Sequence, residues 1–164
     1  MEDGSTGPPF IPRFIGPLVQ QTLADTPVTV VQGARQVGKS TLVRQVVAGS
    51  GATFVTLDDS AGHQAALTDP EAFVRQADGL LAIDEVQRAP ALIRAMKGAV
   101  DDDRRPGRFL ITGSANLLEL PGAQDSLAGR AETIPLYGLS QGELEGSRED
   151  FVDLLALVGV HEKQ

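Results

Sequence analysis

The sequence lacks cysteine altogether, which excludes disulfide frameworks, thiolate nucleophiles and cysteine-based zinc sites. It contains no run of 18 or more apolar residues, so no segment is predicted to cross a membrane. The first nine residues, MEDGSTGPP, are acidic and include no apolar stretch, whereas a secretory signal has a basic start and an apolar centre. We therefore expect a cytoplasmic protein with a disordered leader over residues 1–9.

Basic side chains are also scarce. The 164 residues include 14 Lys and Arg against 22 Asp and Glu, a formal net charge of −8, and 41% of the residues are hydrophobic. A negatively charged protein repels phosphate backbones, which argues against nucleic-acid binding as the main role. The length suits one domain, and the hydrophobic fraction is enough to fill the core of such a domain.

Five short apolar runs, separated by helical patterns, organise the chain. The runs are residues 28–31, 53–57, 80–83, 109–111 and 133–136. They do not alternate apolar with polar side chains, which is typical of parallel strands that are buried on both faces. The pattern predicts an α/β fold with a parallel sheet between two helical layers. Pro135 has no amide to donate, so we expect the fifth strand to be short or to lie at an edge.

Prolines and capping residues mark where helices begin. Pro17 and Pro90 fit the first turns of two helices, and Asp69 fits the N-cap of a third. Ser140 and Ser147 are each followed by an acidic residue three positions later, the pattern of a capping box. We expect the second box to open a C-terminal helix.

The first apolar run leads directly into a glycine-rich segment, and a helical pattern follows. The segment reads G-x-x-x-x-G-K-S, the Walker A pattern, in the strand–loop–helix context that its mechanism requires. Such loops point successive backbone N–H groups at an anion, and the helix N-terminus adds positive potential. We expect Lys39 to reach the β- and γ-phosphates of a nucleotide, Ser40 to ligate Mg²⁺ and Thr41 to contact the α-phosphate. The predicted binding residues are Gly33, Ala34, Arg35, Gln36, Val37, Gly38, Lys39, Ser40 and Thr41.

Two acidic residues, Asp84 and Glu85, end the third apolar run, as in a Walker B pattern. Open parallel sheets bind ligands at the carboxyl ends of their strands, so we expect Asp84 to hold Mg²⁺ there through a water. We expect Glu85 to orient and deprotonate the water that attacks the γ-phosphate. The alternative is that both acids merely begin a loop. The sequence identifies no acceptor pocket, so hydrolysis is favoured over a small-molecule kinase.

Further segments make the pattern more specific. The stretches GARQVGKSTL, LDD, DEVQRAPALIRAMK, RFLITGSANLL and SLAGRAETIPLYGLSQGE together resemble the prokaryotic AAA-type P-loop ATPases, over about Phe10 to Glu143. The resemblance implies an ATP-binding domain over residues 10–146, with five parallel strands in the order 5-1-4-3-2. It also favours ATP over GTP, and no guanine-reading N-K-x-D element occurs.

The same resemblance implies roles for single residues. A polar residue at the end of the fourth strand senses the γ-phosphate; we favour Ser114, with Thr112 and Asn116 as rivals and an ordinary turn as the alternative. Arg130 takes the position of an arginine finger that reaches a neighbouring subunit's nucleotide, the alternative being a surface arginine or helix cap. Arg13 matches an arginine that would line the base pocket.

Members of this group usually continue into a further C-terminal domain, whereas this chain ends at Gln164. We interpret residues 147–164 as a C-terminal helix, the start of a truncated second domain. One functional hypothesis is Mg²⁺-dependent ATP binding and hydrolysis, in a homo-oligomer if Arg130 acts in trans. The other is a nucleotide-binding interaction module with little turnover, because the lid over the nucleotide is missing.

Overall fold

The computed structural model describes residues 11–114 and 117–146. Residues 15–138 belong to one compact unit, and residues 11–14 and 139–146 belong to a second unit, so each is described by itself. The predictions for the leader, for Asn116 and for the helix opening at Ser147 lie outside the described residues. No helix within the described ranges is long and apolar enough to cross a membrane.

The larger unit alternates strands with helices. Its strands are β1 (Val28–Gln32), β2 (Thr53–Thr56), β3 (Leu81–Asp84), β4 (Phe109–Gly113) and β5 (Ala131–Pro135). Its α-helices are α1 (Gly16–Asp25), α2 (Lys39–Val47), α3 (Ser60–Thr68), α4 (Pro70–Val74), α5 (Ala91–Asp102) and α6 (Ala123–Leu127). Two short 3₁₀ helices cover Val86–Arg88 and Leu117–Glu119.

The five strands form one sheet in the order β2-β3-β4-β1-β5, and every pairing is parallel. Read from the β5 edge, this is the predicted order 5-1-4-3-2. β1 lies between β4 and β5, with Val28 opposite Phe109 on one side and Ala131 on the other. Pro135 lies in an edge strand, as predicted, because an edge tolerates a residue that donates no ladder hydrogen bond.

Both faces of the sheet are covered by apolar side chains, which confirms the three-layer α/β fold. Successive side chains of β1 point to opposite faces: Val28 and Val30 pack in the cluster that includes Leu92 and Met96 of α5. Val31 packs in the other cluster with residues of α1 and α2. Burial on both faces is the physical reason that the strands read as continuous apolar runs.

The segment between β2 and β3 contains two helices. Asp69 is the N-cap of α4, as predicted, and its carboxylate accepts a hydrogen bond from the amide of Ala72 at 2.9 Å. An additional helix, α3, precedes it and is capped by Asp59. Only Ala66 of α3 is buried, so the helix has no apolar stripe from which a sequence reading could detect it.

The last strand also begins earlier than predicted, at Ala131 rather than Thr133. Glu132 and Thr133 are exposed, and Ile134 is the fully buried residue of β5. An edge strand with one buried side chain carries a weak hydrophobic pattern, since most of its residues face solvent.

In the second unit, α7 (Gln141–Glu145) begins with the predicted capping box. The Ser140 hydroxyl accepts from the Glu143 amide at 3.2 Å, and Glu143 Oε2 accepts from the Ser140 amide at 2.9 Å. Glu143 Oε1 also accepts from the amide of Phe14 at 2.8 Å and from Arg13 Nε at 3.0 Å. One buried carboxylate therefore joins α7 to residues more than 125 positions away in the chain.

The Glu143 carboxylate makes the contact between α7 and residues 13–14 sensitive to acid. Burial alone would raise the pKa of Glu143, but hydrogen bonds from the Ser140 and Phe14 amides and from Arg13 lower the pKa below its ordinary value of 4.5. Because the folded pKa is lowered, the stabilisation is present above about pH 4.5 and is lost as the pH falls through the folded value. We expect the Phe14 amide resonance to follow this titration in an NMR pH series.

The Glu143→Gln variant is the control, since it has no titrating group at this position and the acid-induced shift of the Phe14 amide should disappear. A Glu143 pKa at or above 4.5 would contradict the hydrogen bonds described for this carboxylate.

Candidate functional site

The glycine-rich segment lies at the carboxyl end of β1, and α2 begins at Lys39. Gly38 is the N-cap of α2 and has φ 93°, a conformation that glycine adopts without steric cost. Gln36 has φ 64°. Alternation between right- and left-handed backbone turns successive N–H groups toward one side, which creates a concave site for an anion. The predicted strand–loop–helix arrangement is confirmed as a backbone geometry.

Gly33 lies where the ends of three strands meet. Its amide donates to the carbonyl of Gly113 at 3.3 Å, and the Leu136 amide donates to the carbonyl of Gln32 at 2.7 Å. A Cβ atom on Gly33 would lie 2.3 Å from the carbonyl oxygen of Leu136. The first glycine of the pattern is therefore required by close packing of backbone against backbone.

Lys39 is folded over this loop. Its side chain is 4% exposed, and Nζ donates to the carbonyl oxygens of Gly33 at 3.1 Å and Ala34 at 2.8 Å. Nζ also lies 3.9 Å from Oε1 of Glu85. A buried ammonium group therefore lies within the loop that the sequence assigns to phosphates, beside the second predicted carboxylate.

Asp84 is almost completely buried and is surrounded by hydroxyl groups. Oδ2 accepts from Ser40 Oγ at 2.7 Å and from Thr56 Oγ1 at 3.2 Å, and Oδ1 accepts from Thr112 Oγ1 at 2.6 Å. These three donors come from α2, β2 and β4, so the carboxylate ties the phosphate loop to both strands that flank β3. The predicted proximity of Ser40 and Asp84 is present.

Glu85 has an unusual backbone. Its φ is 61°, and its amide donates to Thr112 Oγ1 at 2.9 Å. Gln36 and Glu85 are the two non-glycine residues with positive φ in the part of the chain that the structure describes. Such conformations cost free energy and cluster at functional sites. Both of them lie at the predicted site.

The candidate sensor residues differ in their surroundings. Thr112 is fully buried, and its hydroxyl already donates to Asp84. A hydroxyl has one proton to donate, so in this arrangement Thr112 holds Asp84 and Glu85 and has no donor left for a phosphate. Ser114 follows β4, and its carbonyl accepts from the Leu117 amide at 3.0 Å in a turn.

Arg130 lies at the amino ends of the strands, on the side of the sheet away from the glycine-rich loop. Its carbonyl accepts from the amide of Val28 at the start of β1, whereas the loop follows the end of that strand. Five strand residues span roughly 16 Å, so Arg130 cannot reach the site of its own chain. Its guanidinium pairs with Asp101 at 2.7 Å.

The site also contains residues that the sequence analysis did not select. Thr56 was missed because a single threonine at a strand end carries no signal of its own. A cavity of about 570 Å³ lies beside the loop, and its wall is largely apolar. The residues lining it are Gln32, Gly33, Ala34, Val37, Thr133, Pro135, Leu136, Tyr137 and Gly138.

The chain is similar in sequence to proteins of two mycobacteria. An uncharacterised protein of Mycobacterium bovis and one of Mycobacterium tuberculosis are each 38% identical to this chain over 133 residues, or 80% of the chain. The chain spans 30% of the length of each relative.

Solved structures share the fold at low sequence identity. The Walker-type ATPase of Pyrococcus abyssi aligns with a TM-score of 0.54 at 12% identity, covering 92% of this chain and 63% of that one. The AMPPCP-bound DnaA of Aquifex aeolicus aligns with a TM-score of 0.54 at 16% identity, covering 84% and 53%. A family model described as "AAA domain" matches residues 25–145, well over half of the chain. The chain therefore belongs to the AAA domain family.

Proposed function

We propose that this chain binds Mg·ATP at residues 33–41 and hydrolyses it to ADP and phosphate. The observation that carries the proposal is the position of the Lys39 ammonium group, which is buried, donates to the carbonyl oxygens of Gly33 and Ala34, and lies 3.9 Å from Glu85. A cation and N–H donors at a helix N-terminus are what a triphosphate requires. A carboxylate beside them is what an attacking water requires.

Lys39 can bind phosphate by exchanging its hydrogen bonds to the loop carbonyl oxygens for hydrogen bonds to phosphate oxygens. Lys39 Nζ donates to two carbonyl oxygens of its own loop, and phosphate oxygens are stronger acceptors because they are charged. The loop needs no refolding for this exchange, since Gln36 and Gly38 already have the left-handed backbone that turns amides inward. In this proposal Thr41, exposed on α2, contacts the α-phosphate.

The residues around Asp84 fit Mg²⁺. Ser40 uses its proton on Asp84 Oδ2, which leaves the lone pairs of the serine oxygen for a metal. The three hydroxyl donors to Asp84 leave acceptor capacity on a carboxylate that has about four lone-pair sites. No cluster of three His, Asp or Glu side chains suited to a metal occurs within residues 11–114 and 117–146. This agrees with a cation that takes its other ligands from phosphates and water.

When bound, Mg²⁺ would neutralise charge on the β- and γ-phosphate oxygens. Glu85 orients the attacking water and accepts its proton, a role that requires a carboxylate held in one direction next to the γ-phosphate. The Thr112 hydroxyl supports both acids, since it donates to Asp84 and accepts from the Glu85 amide. Of Thr112 and Ser114, Ser114 is therefore the stronger candidate for the γ-phosphate sensor, and Asn116 stays its rival.

The nucleoside is placed in the cavity between the loop and the end of β5. Its volume of about 570 Å³ lies within the range of small-ligand pockets, and its largely apolar wall suits a base. Preference for ATP comes from the family and not from a base-reading contact. Because Arg130 is about a strand length away from its own site, its finger role is proposed only in trans, within a homo-oligomer.

Two measurements on the purified 164-residue chain test the proposal: Mg·ATP affinity by calorimetry, and phosphate release over a range of protein concentrations. We expect wild type to bind and to release phosphate. The Glu85→Gln variant should bind within about twofold of wild type while turnover falls by about 10²–10⁴, the range for loss of a general base.

The result also separates the two functional hypotheses. Binding without phosphate release at any protein concentration would replace hydrolysis with a nucleotide-binding interaction module. If no heat is measured and the melting temperature does not respond to millimolar Mg·ATP, the whole proposal fails.

A further inference from the structure

The Glu85 carboxylate has a second neighbour to which the sequence analysis assigned no role. Oε1 of Glu85 lies 3.9 Å from Lys39 Nζ, and Oε2 accepts a hydrogen bond from the side-chain amide of Gln87. Glu85 is partly exposed, with 21% of its side chain accessible. Each carboxylate oxygen therefore faces a different donor, one of which belongs to the phosphate loop.

The contact depends on the local backbone. Residues two positions apart do not face each other on a regular helix. Here the left-handed conformation of Glu85 reverses the chain, and a 3₁₀ turn follows over Val86–Arg88. The amide of Arg88 donates to the Glu85 carbonyl at 3.0 Å, and Val86 is fully buried. This anchored turn brings the Gln87 amide group against the Glu85 carboxylate.

Gln87 Oε1 is buried and has no hydrogen-bond partner in the described part of the chain. An unpaired buried acceptor costs free energy. Reversing the amide would not remove that cost, because it would place the carbonyl oxygen against a carboxylate. An apolar side chain of similar length would fill the same space without a stranded oxygen.

We propose that Gln87 is a positioning residue that holds the Glu85 carboxylate toward the attacking water. This inference rests on the proposed ATPase function. When a triphosphate attracts Lys39 Nζ, the contact between Lys39 and Glu85 weakens, and Gln87 remains as the donor that fixes Glu85. Gln87 touches neither phosphate nor metal in this scheme, so its loss should lower kcat and leave nucleotide affinity unchanged.

The test replaces the amide and keeps the shape. Gln87→Met retains an unbranched side chain and removes the donor, and Gln87→Leu is the second variant in case the first fails to fold. We expect a Mg·ATP Kd within twofold of wild type. The steady-state kcat and the single-turnover rate constant should each be at least tenfold lower. Gln64→Leu, at an exposed glutamine of α3, is the control and should retain wild-type kcat.

A double variant distinguishes positioning from a structural role. If Gln87 acts through the Glu85 carboxylate, Gln87→Met should have no further effect on the residual turnover of Glu85→Gln, because the two changes act on one unit. If Gln87→Met lowers turnover by the same factor in wild type and in Glu85→Gln, the inference is overturned. So would an unchanged kcat in a folded Gln87 variant, or a loss of affinity that accounts for the slower rate.

Failure of the proposed function has a different signature. If wild type binds Mg·ATP without turnover, both the ATPase function and the role of Gln87 are overturned. If wild type and Gln64→Leu turn over and the folded Gln87 variants match them, the ATPase function stands and only the positioning role is lost.

Discussion

Replacing Lys39 by alanine should abolish most of the affinity for Mg·ATP while leaving the fold intact. The buried ammonium group donates to two carbonyl oxygens of its own loop, and in the complex it would donate to phosphate oxygens instead. A hydrogen bond to a charged group contributes roughly 1.5–3 kcal/mol. Two of them correspond to a loss of affinity of at least about 100-fold. Calorimetric titration of both proteins with Mg·ATP gives the comparison.

The fold should tolerate this change because the polar contacts given for the Lys39 side chain are with two carbonyl oxygens of its own loop and with Glu85. The melting temperature without nucleotide should therefore stay within a few degrees of wild type, and its increase on adding Mg·ATP should disappear. Lys97→Ala, which removes the same charge from the half-buried Lys97 of α5, is the matched control and should bind normally. Tight binding by Lys39→Ala would remove the phosphate-loop assignment.

The loop and its two acids could be predicted because their positions depend on short-range sequence and on one topological rule. The loop is a contiguous segment, and a loop of this type binds an anion through its backbone, so its spacing alone carries the signal. Asp84 and Glu85 lie near the loop because the carboxyl ends of parallel strands share one edge of the sheet. No side-chain packing had to be known for either inference.

The two threonine hydroxyl groups at Asp84 could not be predicted in the same way. Thr56 and Thr112 come from β2 and β4, the two neighbours of β3, so their convergence follows only from the strand order, which the family resemblance implied and the residue pattern did not. Threonine is also common in strands for reasons of shape. The contact between Gln87 and Glu85 depends on a left-handed residue that the sequence does not mark with glycine.

Arg130 shows where family resemblance and geometry have to be combined. The residue directly precedes β5, and a residue that precedes a parallel strand lies at the amino edge of the sheet, away from a loop that follows β1. Sequence position alone therefore excludes a role in its own nucleotide site. In the structure its guanidinium pairs with Asp101, so a role in trans requires that pair to open.

Replacing Gly33 by alanine should weaken the fold and nucleotide binding together. The added Cβ would lie 2.3 Å from the carbonyl oxygen of Leu136 and 3.2 Å from Cγ2 of Val37. The first of these contacts is with backbone, which cannot rotate away as a side chain can. Overpacking of this kind costs typically 1–3 kcal/mol, so we expect a loss of about 2 kcal/mol or more in chemical denaturation. Gly79→Ala, at a position with nothing within 4 Å of the new Cβ, is the matched control.

In Gly33→Ala the affinity for Mg·ATP should fall together with the stability of the fold. Either the loop or the end of β5 must move to remove the clash between the new Cβ and the Leu136 carbonyl oxygen. Gly33 and Leu136 both line the cavity beside the loop, and Lys39 donates to the Gly33 carbonyl. A movement on either side therefore changes the site, and we expect the Mg·ATP Kd to rise at least tenfold. If stability falls and Mg·ATP affinity does not, the cavity beside the loop, which Gly33 and Leu136 line, is not part of the nucleotide site. Wild-type stability in Gly33→Ala would contradict the close approach of the two backbones itself.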